Sequence, residues 1–379
     1  MALFKHATEN NVIRDERPLL PDYLPPQVLH RETQIKEMAL ALEPAASGRK
    51  PRSVIAYGPT GTGKTTCTRY VLKELQEFSS RVLPIYVNCW QNNTRHAVLS
   101  RMAEALGAAM PRRGVAVDEV LNRVMEYAKK DDRTLIAALD EVDFLFYKGE
   151  QSVFYDLSRS GEIHGVNLGV VSLTNNASLL SEFDARIRSS FAGVAIEFKP
   201  YNPLQLKDIL RERAKLALFP QAWEEEAIAL CAAHAAKLGG DARVAIECFL
   251  NAARNAEREN KKKVEAEDAR KAFEATAAKK IALEELPAAP FSQQRKNFLE
   301  SGLSDGEKMV VSLLSEASAK GITSGELYEK ARKKMPGITD RSLRNYVCVL
   351  EKKGLVKAVE VDGRTAGLSG GRTRLLKLA

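Results

Sequence analysis

Between positions 58 and 65 the chain reads Gly58-Pro59-Thr60-Gly61-Thr62-Gly63-Lys64-Thr65, a complete G-x-x-x-x-G-K-[ST] spacing. A loop that wraps an anionic triphosphate must turn its backbone N–H groups inward. It can do so only where Cβ atoms are missing from the tight points. It must also leave a strand and open a helix, whose positive N-terminal end adds to the attraction. Both neighbours are legible. Ser53-Val54-Ile55-Ala56-Tyr57 is a short apolar run of buried-strand type. From Thr65 to Phe78, apolar or small residues recur at Cys67, Tyr70, Val71, Leu72, Leu75 and Phe78, a helical spacing. Gly58 to Gly63, Lys64, Thr65 and Thr66 are therefore the candidate phosphate-binding residues for ATP or ADP. Lys64 would reach the β- and γ-phosphates, and the Thr65 hydroxyl would hold Mg²⁺.

The loop lies in a repeating pattern. Apolar, β-branched segments recur at 53–57, 83–87, 134–139, 167–173 and 194–198, with helical patterns between them. Such alternation predicts an α/β domain with a parallel sheet covered on both faces, spanning residues 1–200. From Pro203 the strands stop. An alanine-rich helical stretch runs to a helix over 266–286 that ends at Pro287-Ala288-Ala289-Pro290, which predicts a small all-α lid domain and linker over 201–290. The remainder, 291–379, reads as helices over 305–319, 324–334 and 340–353, then two alternating strands at 355–361 and 372–378. Thr323 or Ser324, and Thr339, are suitable N-caps, and Gly354 is a stop. Three helices and a hairpin make a winged helix-turn-helix plan.

Composition narrows the function classes. The chain has 379 residues, 45% hydrophobic and 28% charged, with no apolar run long enough to span a bilayer, and Met1 to His6 carry no secretory core. Five scattered cysteines without C-x-x-C spacing suggest reduced thiols, and the histidines form no zinc cluster. A cytoplasmic, nucleoid-associated protein with no membrane partner is the expectation. The net charge is +8, and residues 301–379 carry 15 Lys and Arg against 9 Asp and Glu. Most of the positive excess thus sits in the last fifth of the chain, as a polyanion-binding end requires.

Catalytic candidates follow the loop in order. The strand over 134–139 runs into Asp140-Glu141, which places carboxylates at the C-terminal edge of a parallel strand and so at the ligand crevice. Asp140 would contact the metal through its water shell, and Glu141 would polarise the attacking water. After the fourth strand, Asn175, or alternatively Thr174, could hold that water opposite the γ-phosphate. Between the fourth and fifth strands lie Arg186 and Arg188. Arg186 is the favoured finger toward a neighbouring subunit's nucleotide, with Arg188 the alternative. Arg243, in the first turn of the helix opened by Gly239-Gly240-Asp241, could reach the γ-phosphate and couple lid closure to nucleotide state.

At the basic end, the helix over 340–353 has Leu343, Val347 and Leu350 on one side, a core-facing spacing. Its N-terminal half offers Arg341, Ser342, Arg344 and Asn345 to a major groove, since arginine pairs bidentately with guanine and asparagine with adenine. The wing adds Arg364, Arg372 and Arg374 for phosphates or the minor groove.

Together these residues resemble the AAA+ superfamily, in the order phosphate loop, Asp-Glu strand, Asn sensor, Arg finger and Gly-Asp-x-Arg lid helix. More narrowly, the chain is similar to the archaeal origin-recognition and cell-division-control initiators. The stretches that carry the likeness are Asp22-Tyr23-Leu24-Pro25-Pro26, His30-Arg31-Glu32, Tyr86-Val87-Asn88-Cys89, Leu139-Asp140-Glu141-Val142-Asp143, Arg186 to Ser190, Tyr201-Asn202 and Gly240-Asp241-Ala242-Arg243. The family often has Asn-Asp where this chain has Asn175-Asn176. The resemblance implies an adenine pocket from Tyr23, Leu24 and Pro25 with Tyr201 and Ile209 on the lid side. It also implies a helical insert over 94–107 that touches DNA, with Arg95 and Arg101 as candidates. The implied activity is that of an ATP-dependent initiator that binds double-stranded origin DNA and promotes loading of the replicative helicase. It would hydrolyse ATP slowly and work beside neighbouring initiator subunits. A nucleotide-gated transcriptional regulator and a helicase or branch-migration motor are the alternatives.

Overall fold

The computed structural model describes residues 12–108, 115–130, 132–177, 179, 193–273, 304–315, 322–335, 338–352, 356–362 and 372–378, the last two segments largely as backbone. Arg186, Arg188 and Arg364, and the side chains of Arg372 and Arg374, lie outside the described residues. The chain divides into two compact units, Met1–Ile281 and Ala282–Ala379.

In the first unit five strands form one parallel sheet: β1 (Val54–Tyr57), β2 (Val82–Asn88), β3 (Thr134–Asp140), β4 (Leu168–Thr174) and β5 (Val194–Glu197), in the order β2-β3-β4-β1-β5. Every residue of β3 and β4 is buried, which is why those two runs are continuously apolar rather than alternating. β2 and β5, at the edges, keep polar positions. The order matters for chemistry. β1 pairs with β4 and β4 with β3, so the segments leaving the C-terminal ends of these three strands are neighbours. They are the phosphate loop, Asn175 and Asp140-Glu141.

Helices cover both faces. α1 (Glu32–Leu42) and α2 (Lys64–Phe78) share a core with β1 and β5, built on Met38, Leu42, Val71, Leu72 and Phe198. The opposite face packs under α3 (Arg95–Ala105), α4 (Val117–Lys130) and the short helices α5 (Asp143–Tyr147), α6 (Ser152–Ser158) and α7 (Ser160–His164), around Leu99, Met102, Val124 and Phe154. The insert expected after β2 is thus a pair of helices, α3 and α4.

Beyond β5 the chain is helical: α8 (Pro203–Ala217), α9 (Glu225–Lys237) and α10 (Ala242–Arg258). α8 starts where the sequence dictates. Asn202 and Gln205 form a reciprocal capping box and Pro203 follows the cap. Residues 266–273 are helical, and the rest of the helix expected there lies outside the described residues. The lid core contains a segment distant in sequence. Val12, Ile13 and Leu19 pack with Leu206, Leu210, Ile228 and Phe249. Arg14 N and Asp15 N both donate to the Ala217 carbonyl, and Ile13 N donates to Glu257 Oε1 at 3.0 Å. Residues 12–29 therefore form a strap across the lid.

The second unit packs α11 (Asp305–Ser315), α12 (Ser324–Lys334) and α13 (Asp340–Lys352) around Val310, Leu314, Leu327, Leu343, Val347 and Leu350. The apolar spacing expected for the third helix is the face it buries. Thr323 is the N-cap of α12, in a capping box with Glu326. The hairpin β7 (Val356–Asp362) and β8 (Arg372–Leu378) gains a third strand, β6 (Ile322–Thr323), in the order β6-β8-β7. This is a winged-helix arrangement.

Candidate nucleotide site

A crevice of about 990 Å³ opens between the C-terminal edge of the sheet and the lid. Its wall contains Thr60 to Thr66 of the loop, Asp140, Glu141, Asn175, Arg243, Tyr23, Leu24, Pro25, Tyr201 and Ile209. Gly58 and Pro59 sit behind that wall, and their carbonyls accept from the Lys64 ammonium, each at 2.7 Å.

The loop needs its glycines. Gly63 (φ 91°) is the residue before α2, and a Cβ there would lie 2.6 Å from the Tyr201 hydroxyl. Gly61 (φ 68°) is more constrained, because a Cβ would fall 1.6 Å from Asp241 Oδ1. Asp241 caps α10 by accepting from Arg243 N, and Ala242 N donates to the Gly61 carbonyl at 3.1 Å. The lid helix is thus seated on the phosphate loop through a position only glycine fills. A Gly61→Ala variant should weaken nucleotide binding roughly tenfold. It combines left-handed strain of ~1–2 kcal/mol with a displaced N-cap of ~1 kcal/mol. Calorimetric titration with ADP checks this, and wild-type affinity would refute it.

Around Lys64 the side chains converge. Its ammonium also donates to Asn175 Oδ1 at 3.0 Å. Burial pulls the Lys64 pKa down to about 8. The charge of Asp140 opposes that shift and the charge of Arg243 adds to it. Thr65 Oγ1 donates to Asp140 Oδ2 at 2.8 Å, and the same oxygen accepts from Tyr86 Oη at 2.6 Å. Glu141 N donates to Asp140 Oδ1 at 2.9 Å, so both carboxylate oxygens are fixed. Glu141 is half-buried with φ 57°. Burial raises its pKa, the neighbouring charge of Asp140 raises it further, and a hydrogen bond with Asn88 opposes both. Thr174, the alternative to Asn175, turns away: its hydroxyl donates to Asp143 Oδ1 at 2.7 Å. Arg243 is mostly exposed at the lid end, 3.4 Å from Asp241 Oδ2.

Four participants escaped a role in the sequence reading. Tyr86 and Asn88 are two residues apart on β2 and so share a face. Polar residues at that spacing in an apolar edge strand were the available signal. Arg213 is buried in α8. It donates to Pro18 O at 2.9 Å and lies 4.9 Å from the Tyr23 ring, which fixes the strap that forms the base side of the crevice. Arg31, also buried, joins the loop to the start of the lid.

On the expected DNA-facing residues, Arg341, Arg344 and Asn345 are exposed on α13, while Ser342 is half-buried and shares a 2.8 Å hydrogen bond with Thr339. Arg344 pairs with Asp340 at 2.6 Å. In α3, Arg101 is exposed and pairs with Glu104. Arg95 is partly buried. Its guanidinium is shared between Asp156 and Asp118, which ties α3 to α6 and α4. A basic residue at a helix start gives no sequence sign of such pairing.

A phosphate loop after an interior strand of a five-stranded parallel sheet, an Asp-Glu pair at the end of a strand two places away, and a lid helix seated on the loop define an AAA-type ATPase. Residues 27–171 match the AAA ATPase domain family, and residues 207–274 match the Cdc6 AAA+ ATPase-type lid domain. The chain is 33% identical to ORC1-type DNA replication protein 1 of Sulfolobus acidocaldarius over 98% of its own length and 91% of that protein's. It is 34% identical to the Archaeoglobus fulgidus protein of the same name, over 100% and 91%. The structure of the Aeropyrum pernix ORC1 protein in complex with DNA superposes with a TM-score of 0.64 at 31% identity, over 98% of this chain and 94% of that one. The chain belongs to the ORC1-type DNA replication proteins. Among the described residues, no helix is long and apolar enough to cross a membrane.

Proposed function

We propose that this protein is a nucleotide-switched replication initiator. It binds origin duplex DNA, promotes loading of the replicative helicase and hydrolyses ATP slowly, beside neighbouring initiator subunits at the nucleoid. The observation that carries this reading is the seating of the lid helix on the phosphate loop, with Asp241 against Gly61 and Ala242 N on the Gly61 carbonyl, because it makes lid position depend on what the loop holds.

The residues divide the chemistry between them. The loop amides and Lys64 hold the β- and γ-phosphates, and Tyr23, Leu24, Pro25, Tyr201 and Ile209 enclose the base. Thr65 Oγ1 and Asp140 Oδ2, 2.8 Å apart and both hard oxygen donors, are the groups that would hold Mg²⁺. When bound, that ion neutralises charge developing between the phosphates. Glu141 takes the proton of the attacking water and Asn175 orients it. Arg243 senses the γ-phosphate from the lid. Arg186 completes the site of a neighbouring copy, so an isolated copy turns over slowly and nucleotide state acts as a switch.

For DNA, support comes from the Aeropyrum relative, which was solved with DNA, and from the exposed Arg341, Arg344 and Asn345 opposite the buried face of α13. Removing Arg344 should weaken duplex binding about tenfold and lower the slope of log affinity against log salt by ~1. Fluorescence anisotropy across a salt series reads both, and an unchanged affinity would sink the assignment. Genome-wide footprinting tests the whole proposal. Protection concentrated at replication start sites supports it, and protection at promoters alone overturns it in favour of a transcriptional regulator.

A further inference from the structure

Arg31 is 4% exposed, forms no ion pair among the described residues, and does not line the crevice. A buried guanidinium is expensive unless its donors are all engaged. Each of its three nitrogens has a carbonyl partner: Nε donates to Thr62 O at 2.9 Å, Nη2 to Lys199 O at 2.6 Å and Nη1 to His30 O at 3.2 Å. Its Cζ lies 3.8 Å from the centre of the Tyr201 ring and 5.7 Å from that of Phe198. These partners come from three places: the phosphate loop, the end of the sheet, and the hinge (Lys199-Pro200-Tyr201) through which β5 leads into the lid.

We propose that Arg31 is a positioning residue that locks the phosphate loop to the lid hinge, so that nucleotide retention and lid seating become one event. Two links support it, both resting on the nucleotide-site reading above. First, the carbonyl that Arg31 binds belongs to the peptide whose N–H is that of Gly63. A cationic donor on the carbonyl polarises that peptide and strengthens the amide as a donor toward phosphate. Second, Tyr201, gripped by the guanidinium, donates its own N–H to Gly240 O at 3.2 Å, one residue before the Asp241 cap. The path from loop to lid therefore runs Thr62–Arg31–Tyr201–Gly240 in direct contacts. Only arginine can do this. Its planar fork reaches separated carbonyls while stacking on an aromatic face, which a lysine ammonium cannot.

The test uses the full chain and a fluorescent ADP analogue (N-methylanthraniloyl-ADP), comparing wild type with Arg31→Lys and Arg31→Gln. Dissociation of the analogue is followed together with thermal melting, with and without ADP. Arg31→Lys should release the analogue about tenfold faster, and ADP should raise its melting temperature less than in wild type. A variant whose melting temperature falls equally with and without ADP, at unchanged dissociation rate, would show a purely structural arginine and overturn the proposal. If Arg31→Lys does not fold, Arg31→Gln decides by the same criteria, since Arg31 does not line the crevice. A wild-type chain that fails to bind the analogue would instead sink the nucleotide-site reading itself.

Discussion

Lys64→Ala is expected to abolish nucleotide retention while leaving the empty protein folded. Lys64 holds two charge-assisted contacts in prospect, to the β- and γ-phosphates, each worth about 1.5–3 kcal/mol. Their loss corresponds to roughly 10²–10⁴ in affinity for ATP, and the loss of the β-phosphate contact alone to roughly 10–10² for ADP. The folded state has little to lose. The ammonium is buried on the carbonyls of Gly58 and Pro59 and on Asn175, and that burial depresses its pKa to about 8. Removing a cation already disfavoured by desolvation does not strip the core of packing. The melting temperature without ligand should therefore stay near wild type, and the increase caused by ADP should vanish. Recovery of stoichiometric ADP from the purified variant would show that the loop is misread. The same pKa gives a pH dependence. The binding form is the ammonium, so affinity is flat below about pH 8. Above that, binding must take up a proton, and affinity falls by up to tenfold per pH unit. The variant, lacking the group, should show no such fall.

What the sequence disclosed and what it withheld divide on physical lines. The five strands were legible because parallel strands buried on both faces must be continuously apolar, and β3 and β4 are. The loop was legible because close approach of backbone to phosphate excludes side chains at set intervals. Gly61 shows that rule in extreme form, since the lid helix has already taken the space where a Cβ would go. The strap was not legible. Val12, Ile13 and Leu19 join the lid core from an irregular segment with one short 3-10 turn (Arg17–Leu19) and no period, and their partners lie far along the chain, in the lid helices. β6 is two residues long, below any repeat a sequence can display. Arg31 and Arg213 look like any surface arginine in a list of residues. Only their carbonyl and ring partners, brought from distant segments, distinguish them. The pairing of Arg95 was not legible either, because charge alone does not reveal that Asp118 and Asp156 fold back onto it.

Glu141→Gln should separate binding from hydrolysis. The replacement keeps the shape of the side chain and removes the charge, so the contacts that hold nucleotide, which come from the loop, are untouched. Hydrolysis should fall by ~10²–10⁴, the usual contribution of a positioned general base. The environment supports that role. Glu141 sits in the left-handed region at φ 57°, a conformation costing of order 1 kcal/mol that persists only where surroundings impose it. Its side chain is half-buried beside Asp140, and both conditions make it more basic than an ordinary carboxylate. Asp140 has a different fate although it is the adjacent residue. Its two oxygens already accept from Thr65, Tyr86 and the Glu141 amide, which fixes its orientation, while the Glu141 carboxylate has a hydrogen bond with Asn88 among the described residues. A base must move toward its water and a metal-directed carboxylate must not, and the hydrogen bonds are consistent with the proposed division between the two carboxylates. The measurement is single-turnover hydrolysis alongside ATP retention. Lys64→Ala should lose both, and Glu141→Gln should lose only the first. A Glu141→Gln protein that hydrolyses ATP at the wild-type rate would move the base to another side chain, since no isosteric amide can accept the water's proton.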